Sequence, residues 1–153
     1  MLTRLQELNP RATLKAIDQC SPEDYSNYSL VVLSNPDLSL LSSVCSLSLT
    51  TPVFAIFGDG PYTYIINLTS LGSKLPTYLT LPPEELKAVQ KGSSLWRLFS
   101  HLSAPLVHTP VAIAAVVGGF MTKFVVSCLT ENDQLNNVFE FDGFAMNGTV
   151  YTF

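Results

Sequence analysis

The sequence predicts an α/β domain, a mixed sheet flanked by helices. Three observations carry that reading. Two continuous apolar runs, residues 30–33 and 53–57, enclose one helical stripe. A Gly/Pro turn then leads into an aromatic-rich extended stretch at 62–68, and a long apolar helix later feeds a terminal pair of strands.

Leu2, Leu5 and Leu8 fall at helical spacing, and Asn9-Pro10 ends that helix. Residues 13–17 read as extended, and Pro22-Glu23-Asp24 opens a turn or short helix. Leu30-Val31-Val32-Leu33 has no polar alternation, which suits a parallel strand buried on both faces. Asn35-Pro36-Asp37 starts a helix whose stripe is Leu38, Leu41, Val44, Cys45 and Leu49; Pro52 ends it. Val53-Phe54-Ala55-Ile56-Phe57 is a second buried strand, so residues 30–57 form a βαβ unit with the right-handed crossover such units adopt. Gly58-Asp59-Gly60-Pro61 turns the chain into 62–68, an antiparallel edge strand.

Residues 69–81 read as a linker. Pro82-Pro83-Glu84-Glu85 then places proline and two acids in a first helical turn, where a capping role outweighs a catalytic one for the carboxylates. Ser93-Ser94 caps a further short helix with Leu95, Leu98, Phe99 and Leu102 on one face and Trp96 beside it. Thr109-Pro110 is a cap followed by proline at the first helical position of a helix running to about residue 129. Asn137-Val138-Phe139-Glu140-Phe141 and Asn147-Gly148-Thr149-Val150 read as the last two strands.

Composition bounds the function. The 153 residues are enough for one domain at most, 47% hydrophobic and only 13% charged, about half the usual charged share. So few charges suggest a large buried interface, although abundant Ser and Thr offer a blander cover. A net charge of -4, with no Lys/Arg cluster, argues against a nucleic-acid partner. Cys20, Cys45 and Cys128 have no zinc or redox spacing and read as reduced, mostly buried thiols of an intracellular protein. The start of the chain is amphipathic with an early acid, unlike a signal peptide, and the Asn-x-Ser/Thr triplets at Asn27, Asn67 and Asn147 carry no weight without one. His101 and His108 are each solitary and read as structural or surface groups.

The long helix has a rival reading. Between Val111 and Leu129 only Thr122, Lys123 and Ser127 are polar, and about 30 Å of helix could cross a bilayer. Lys123 argues against that, since a lysine inside such a run costs roughly 2.5–3.5 kcal/mol on insertion scales. In a soluble domain a helix apolar all round is expected to be buried on several sides. Gly118-Gly119 in its middle costs about 2 kcal/mol relative to alanine. Close approach of another backbone is the physical reason for accepting that cost; the alternative is glycine tolerated in an over-stabilised core helix.

Several of these parts, taken in order, resemble a known family. Ala114-Ala115-Val116-Val117-Gly118-Gly119-Phe120, then Asn136-Asn137-Val138-Phe139-Glu140-Phe141-Asp142-Gly143, then Asn147-Gly148-Thr149-Val150, is similar to the end of the adenylation fold. That fold belongs to the enzymes that activate ubiquitin and its relatives, and to bacterial thiamine and molybdopterin enzymes. Leu5-Gln6-Glu7-Leu8-Asn9-Pro10 resembles the helix end before the family's third strand, and 30–33 sits where its fourth strand would be. Phe57-Gly58-Asp59-Gly60-Pro61-Tyr62 is similar to its turn into an antiparallel strand. The resemblance implies a Rossmann-like mixed sheet, the C-terminal part of the adenylation fold lacking its first βαβ nucleotide-binding unit. One partial domain over 1–153 is expected: βαβ unit and edge strand at 1–68, linker and short helices at 69–108, long helix and terminal strands at 109–153.

The departures decide what the resemblance implies for function. No Gly-x-Gly-x-x-Gly precedes any strand. Where active members carry an aspartate for ATP and magnesium, Leu33 is followed by Ser34-Asn35-Pro36, and Asp37 is better placed to start a helix. The chain is therefore expected to be a regulatory, non-catalytic subunit of a heterodimeric activating enzyme for a ubiquitin-like modifier, the SUMO type before the neddylation type. The resemblance implies no catalytic residue, metal or cofactor here, ATP and Mg on the catalytic partner subunit, and a nuclear and cytoplasmic location. Gly118, Gly119 and Phe120 are the expected partner contact. The rivals are an ATP-dependent adenylating enzyme with an additional N-terminal segment, and a small membrane or scaffold protein.

Overall fold

The computed structural model describes residues 4, 6, 7, 10–17, 20–71, 108–130 and 137–152. A 3-10 turn at Pro22–Asn27 precedes β1 (Val31–Ser34), α1 (Leu38–Ser46), β2 (Val53–Asp59), β3 (Tyr62–Asn67) and the short α2 (Leu68–Leu71). After the undescribed stretch come α3 (Val111–Thr130), β4 (Asn137–Asp142) and β5 (Asn147–Thr152). The strands form one five-stranded sheet in the order β1-β2-β3-β4-β5. β1 and β2 are parallel, joined by α1; every later neighbour is antiparallel. The expected mixed α/β sheet flanked by helices is thus present. The helix expected to open at Pro82-Pro83-Glu84-Glu85, the one opened by Ser93-Ser94 and most of the 69–81 linker lie outside the described residues.

Side-chain alternation along β2 and β3 builds two cores from one sheet. Val53, Ala55, Phe57, Tyr64, Ile66 and Val138 face Tyr25, Leu41, Val44 and Leu68 on one side. Phe54, Ile65, Phe139 and Phe141 face Val117, Met121 and Cys128 of α3 on the other. An unbroken apolar run such as 53–57 suits a strand covered on both faces, because a period of two sends consecutive residues to opposite cores.

Local chemistry sets the ends of α1. Asp37 Oδ1 accepts from the Leu40 N–H at 2.7 Å and from the Ser39 hydroxyl at 2.7 Å, an N-cap that satisfies one orphan donor of the first turn. These bonds hold its carboxyl below the usual aspartate range, the Leu40 amide contributing most. The helix stops at Ser46, earlier than its stripe implied, and the Leu47 N–H closes on the Val44 carbonyl in a tightened last turn.

Three further expectations are corrected. β3 is not an edge: β4 returns antiparallel and pairs along it, so the edges of the described sheet are β1 and β5. The turn before β3 is shorter than Gly58–Pro61, because Gly58 and Asp59 stay in the ladder and only Gly60 and Pro61 reverse the chain, Gly60 at φ 56°. Cys20 is exposed and Cys45 half-buried, so only Cys128 of the three free thiols is fully in the core.

Candidate functional site

The C-terminal ends of parallel strands are where open α/β sheets place their ligands, and in this chain the two ends are tied to each other. Asn35, after β1, adopts a left-handed conformation at φ 46°, and its side-chain oxygen accepts from the Gly58 N–H of β2 at 2.9 Å. Asp37, two residues on, caps α1. The residues that follow β1 are thus engaged in a turn and a helix start.

Beside the C-terminal end of α1 lies a cavity of about 270 Å³, lined by Val44, Cys45, Leu47, Leu49, Leu68 and Thr69 among others. Burial pushes the Cys45 thiol up to about 11, so it stays protonated at neutral pH and is a poor nucleophile. Elsewhere in the same core, the Tyr64 hydroxyl donates to Glu140 Oε1 at 3.4 Å, a polar contact between two buried groups. Among the described residues no group of three or more His, Cys, Asp or Glu is arranged to hold a metal ion.

The most unusual surface belongs to α3. Its inner stripe is Val117, Met121 and Cys128, supported by half-buried Ile113, Phe120, Phe124 and Val125. Phe120 lies against Phe139 with ring centroids 4.7 Å apart and reaches Phe141 at 6.2 Å, while Phe124 meets Phe139 edge-on at 5.6 Å. The expectation that this helix is buried on several sides is not met among the described residues. Only 17% of its most apolar window is buried, at a mean hydropathy of 1.9. Val111, Val116, Val126 and Leu129 are exposed, with Leu129 at 55%. Thr122 and Thr130 turn their hydroxyls back onto the Gly118 and Val126 carbonyls at 2.8 and 2.7 Å, so even the outer threonines present methyl groups. Lys123 is the single charge on the helix.

The structure divides the expected contact trio. Phe120 points into the sheet and is used internally, whereas Gly118 and Gly119 are exposed, with nothing within 4 Å of where a Cβ would stand. Close approach does occur, at glycines the sequence did not single out. A Cβ on Gly143 would lie 2.7 Å from the Pro61 carbonyl oxygen and collide with Ile113 of α3, and one on Gly148 would lie 2.7 Å from the Phe139 ring. Gly58 leaves room for the Thr109 side chain at the start of α3. The Asp-Gly at 142–143 was the available signal: Asp142 Oδ1 accepts from the Phe144 and Ala145 amides, closing the β4–β5 turn beneath α3.

The described residues form a mixed α/β fold in which α3 packs on the sheet by a single stripe and, among those residues, is open along the opposite one. No model of a known protein family matches the chain, and no curated protein matches it.

Proposed function

We propose that this chain is a regulatory, non-catalytic subunit of a heterodimeric enzyme that activates a ubiquitin-like modifier, of the SUMO type in preference to the neddylation type. One observation carries the reading: among the described residues α3 leaves a long apolar face open, with the Gly118-Gly119 pair set into it and no described packing that accounts for either glycine. Exposed apolar patches of this kind mark interaction surfaces. The mixed sheet is compatible with the same reading, since the resemblance implies parallel strands followed by a turn into an antiparallel one. The subunit completes its partner; ATP and Mg belong to the catalytic subunit, and the pair works in nucleus and cytoplasm.

Modifier-dependent ATP–pyrophosphate exchange tests the proposal, using this chain and the SUMO-activating catalytic subunit of the same organism. Exchange is expected only when both are present. Exchange by this chain alone would replace the proposal with an adenylating enzyme.

The hydropathy of α3 favours a second reading, a membrane or scaffold protein. Insertion would strip Phe120 and Phe124 from the Phe139 and Phe141 rings. Membrane recovery that survives alkaline carbonate washing would support it.

A further inference from the structure

We infer that Asn147 is a site of spontaneous covalent modification, at which the Gly148 amide nitrogen displaces ammonia from the Asn147 side chain and the start of β5 ages into aspartate and isoaspartate. The inference goes beyond the proposed function and stands or falls apart from it. Asn147-Gly148 is the one Asn-Gly pair in the sequence. A five-membered imide closes most readily when the following residue carries no side chain, because the backbone can then approach closely.

Strand register fixes which way the attacking nitrogen points. The Gly143 N–H donates to the Pro61 carbonyl at 2.9 Å, so Gly143 directs its backbone groups toward β3. Consecutive residues of an antiparallel ladder direct theirs to opposite sides. Asp142 therefore faces β5, where it pairs with Asn147. Asn147 in turn faces β4, and Gly148 faces outward along an edge of the described sheet. Both residues are exposed. An edge N–H of this kind is outside the ladder and open to solvent base. Other positions are less able to react. Asn35 precedes proline, which has no N–H to lose, and Asn27 precedes bulky Tyr28. Asn67 is 1% exposed, with its side-chain oxygen accepting from the Thr69 and Ser70 amides. At Asp142-Gly143 the nitrogen is the one bonded to Pro61.

The chemistry needs only water. Gly148 N loses its proton to solvent base and bonds to Asn147 Cγ; the Cγ–Nδ2 bond breaks and Nδ2 leaves as ammonia. Water then opens the imide at either carbonyl, giving aspartate, or isoaspartate with the main chain routed through Cγ. Ring closure requires rotation about the Asn147 Cα–C bond, out of the extended conformation. Asn147 is the first residue of β5, beside Met146 at φ 51°, and the end of a ladder opens at least cost. Either product sets a carboxylate opposite Asp142, whose Oδ1 holds the Phe144 and Ala145 amides. Like charges directly opposite destabilise a sheet, and isoaspartate also adds a carbon to the backbone at the first rung. The modification is a slow, one-way loosening of β5.

The test incubates the full chain at pH 7 and pH 9, folded and in guanidinium chloride, followed by peptide mass mapping and by methyl transfer from an isoaspartyl carboxyl methyltransferase. In the folded chain the peptide holding Asn147 is expected to gain about 1 Da at least tenfold faster than those holding Asn27 or Asn67. The rate should be higher at pH 9, and the product should accept methyl groups. Asn147→Gln, which would have to close a six-membered ring, is expected to slow the reaction at least tenfold. A folded chain that keeps Asn147 intact, whether or not the unfolded chain loses it, overturns the inference. So does modification of Asn27 ahead of Asn147. Asn147→Asp is expected to lower the urea midpoint, less so at high salt; a midpoint equal to the wild type overturns the loosening of β5.

Discussion

Replacing Gly118 and Gly119 together by alanine separates what α3 needs for folding from what the proposed function asks of its open face. Each glycine costs a helix interior about 0.8–1.0 kcal/mol relative to alanine, because more backbone freedom is lost on folding. Neither Cβ would meet a described atom within 4 Å, so no collision among the described residues offsets that gain. The bond from the Thr122 hydroxyl to the Gly118 carbonyl uses backbone and is retained. The isolated chain should therefore gain about 2 kcal/mol, seen as a rise of roughly 4–8 °C in the unfolding midpoint of a domain this size. Thermal and urea denaturation followed by far-ultraviolet circular dichroism measure it. If the proposed function holds, the pair with a catalytic subunit should weaken at the same time, since two methyl groups would project from the face proposed to meet it. A double variant less stable than the wild type would refute the reasoning, because something inside the chain would then have to require glycine there.

Four other outcomes follow from the same geometry. Thr63 is 2% exposed and its hydroxyl has no hydrogen-bond partner, so Thr63→Val should raise stability by about 1 kcal/mol; an unchanged or lower urea midpoint contradicts this. Gly143→Ala should destabilise by about 1–3 kcal/mol, because the Pro61 carbonyl and Ile113 of α3 both stand in the way of the added methyl; a variant that unfolds with the wild type counts against that packing. The folded-state pKa of Asp37 is lowered, so its stabilisation is complete above the ordinary aspartate range and lost as pH falls through the lowered value. Asp37→Asn, which keeps an acceptor but does not titrate, should match the wild type at pH 7 and lose less on acidification to pH 3; parallel losses refute the assignment. Maleimide labelling at pH 7 should modify exposed Cys20 well before Cys45, whose thiol burial pushes up to about 11; equal rates refute it.

The readable parts of the fold were those decided by local pattern. The apolar runs at 30–33 and 53–57, the acid at Asp37 and the Thr109-Pro110 start each fix a strand or helix end within a few residues, and the structure has them there. What escaped depended on which strand comes back beside which. Residues 62–68 have the composition of an edge or a centre equally, and only the return of β4 decides between them. The exposure of α3 was hidden for a related reason. Apolar character on every side says that a helix tolerates burial all round, while the single stripe used here follows from having one sheet to lie on. Of the expected site, Gly118 and Gly119 stand on the open face, and Phe120, adjacent in sequence, turns the other way by helical geometry. The glycines that do admit close neighbours, Gly58, Gly143 and Gly148, sit at strands and turns whose crowding comes from α3 or from a cross-strand ring, which no short window of sequence displays.

The union of β3 with β4 sets Ile66 beside Val138, and the whole of α3 lies on the chain between them. Bringing two such distant positions together costs about 4 kcal/mol of chain entropy, but doubling the intervening length would add only about 0.6 kcal/mol. The middle of the sheet is therefore a place where the polypeptide can be extended at little thermodynamic penalty. Chains of very different total size could share these five strands, their differences gathered between residue 71 and the start of α3.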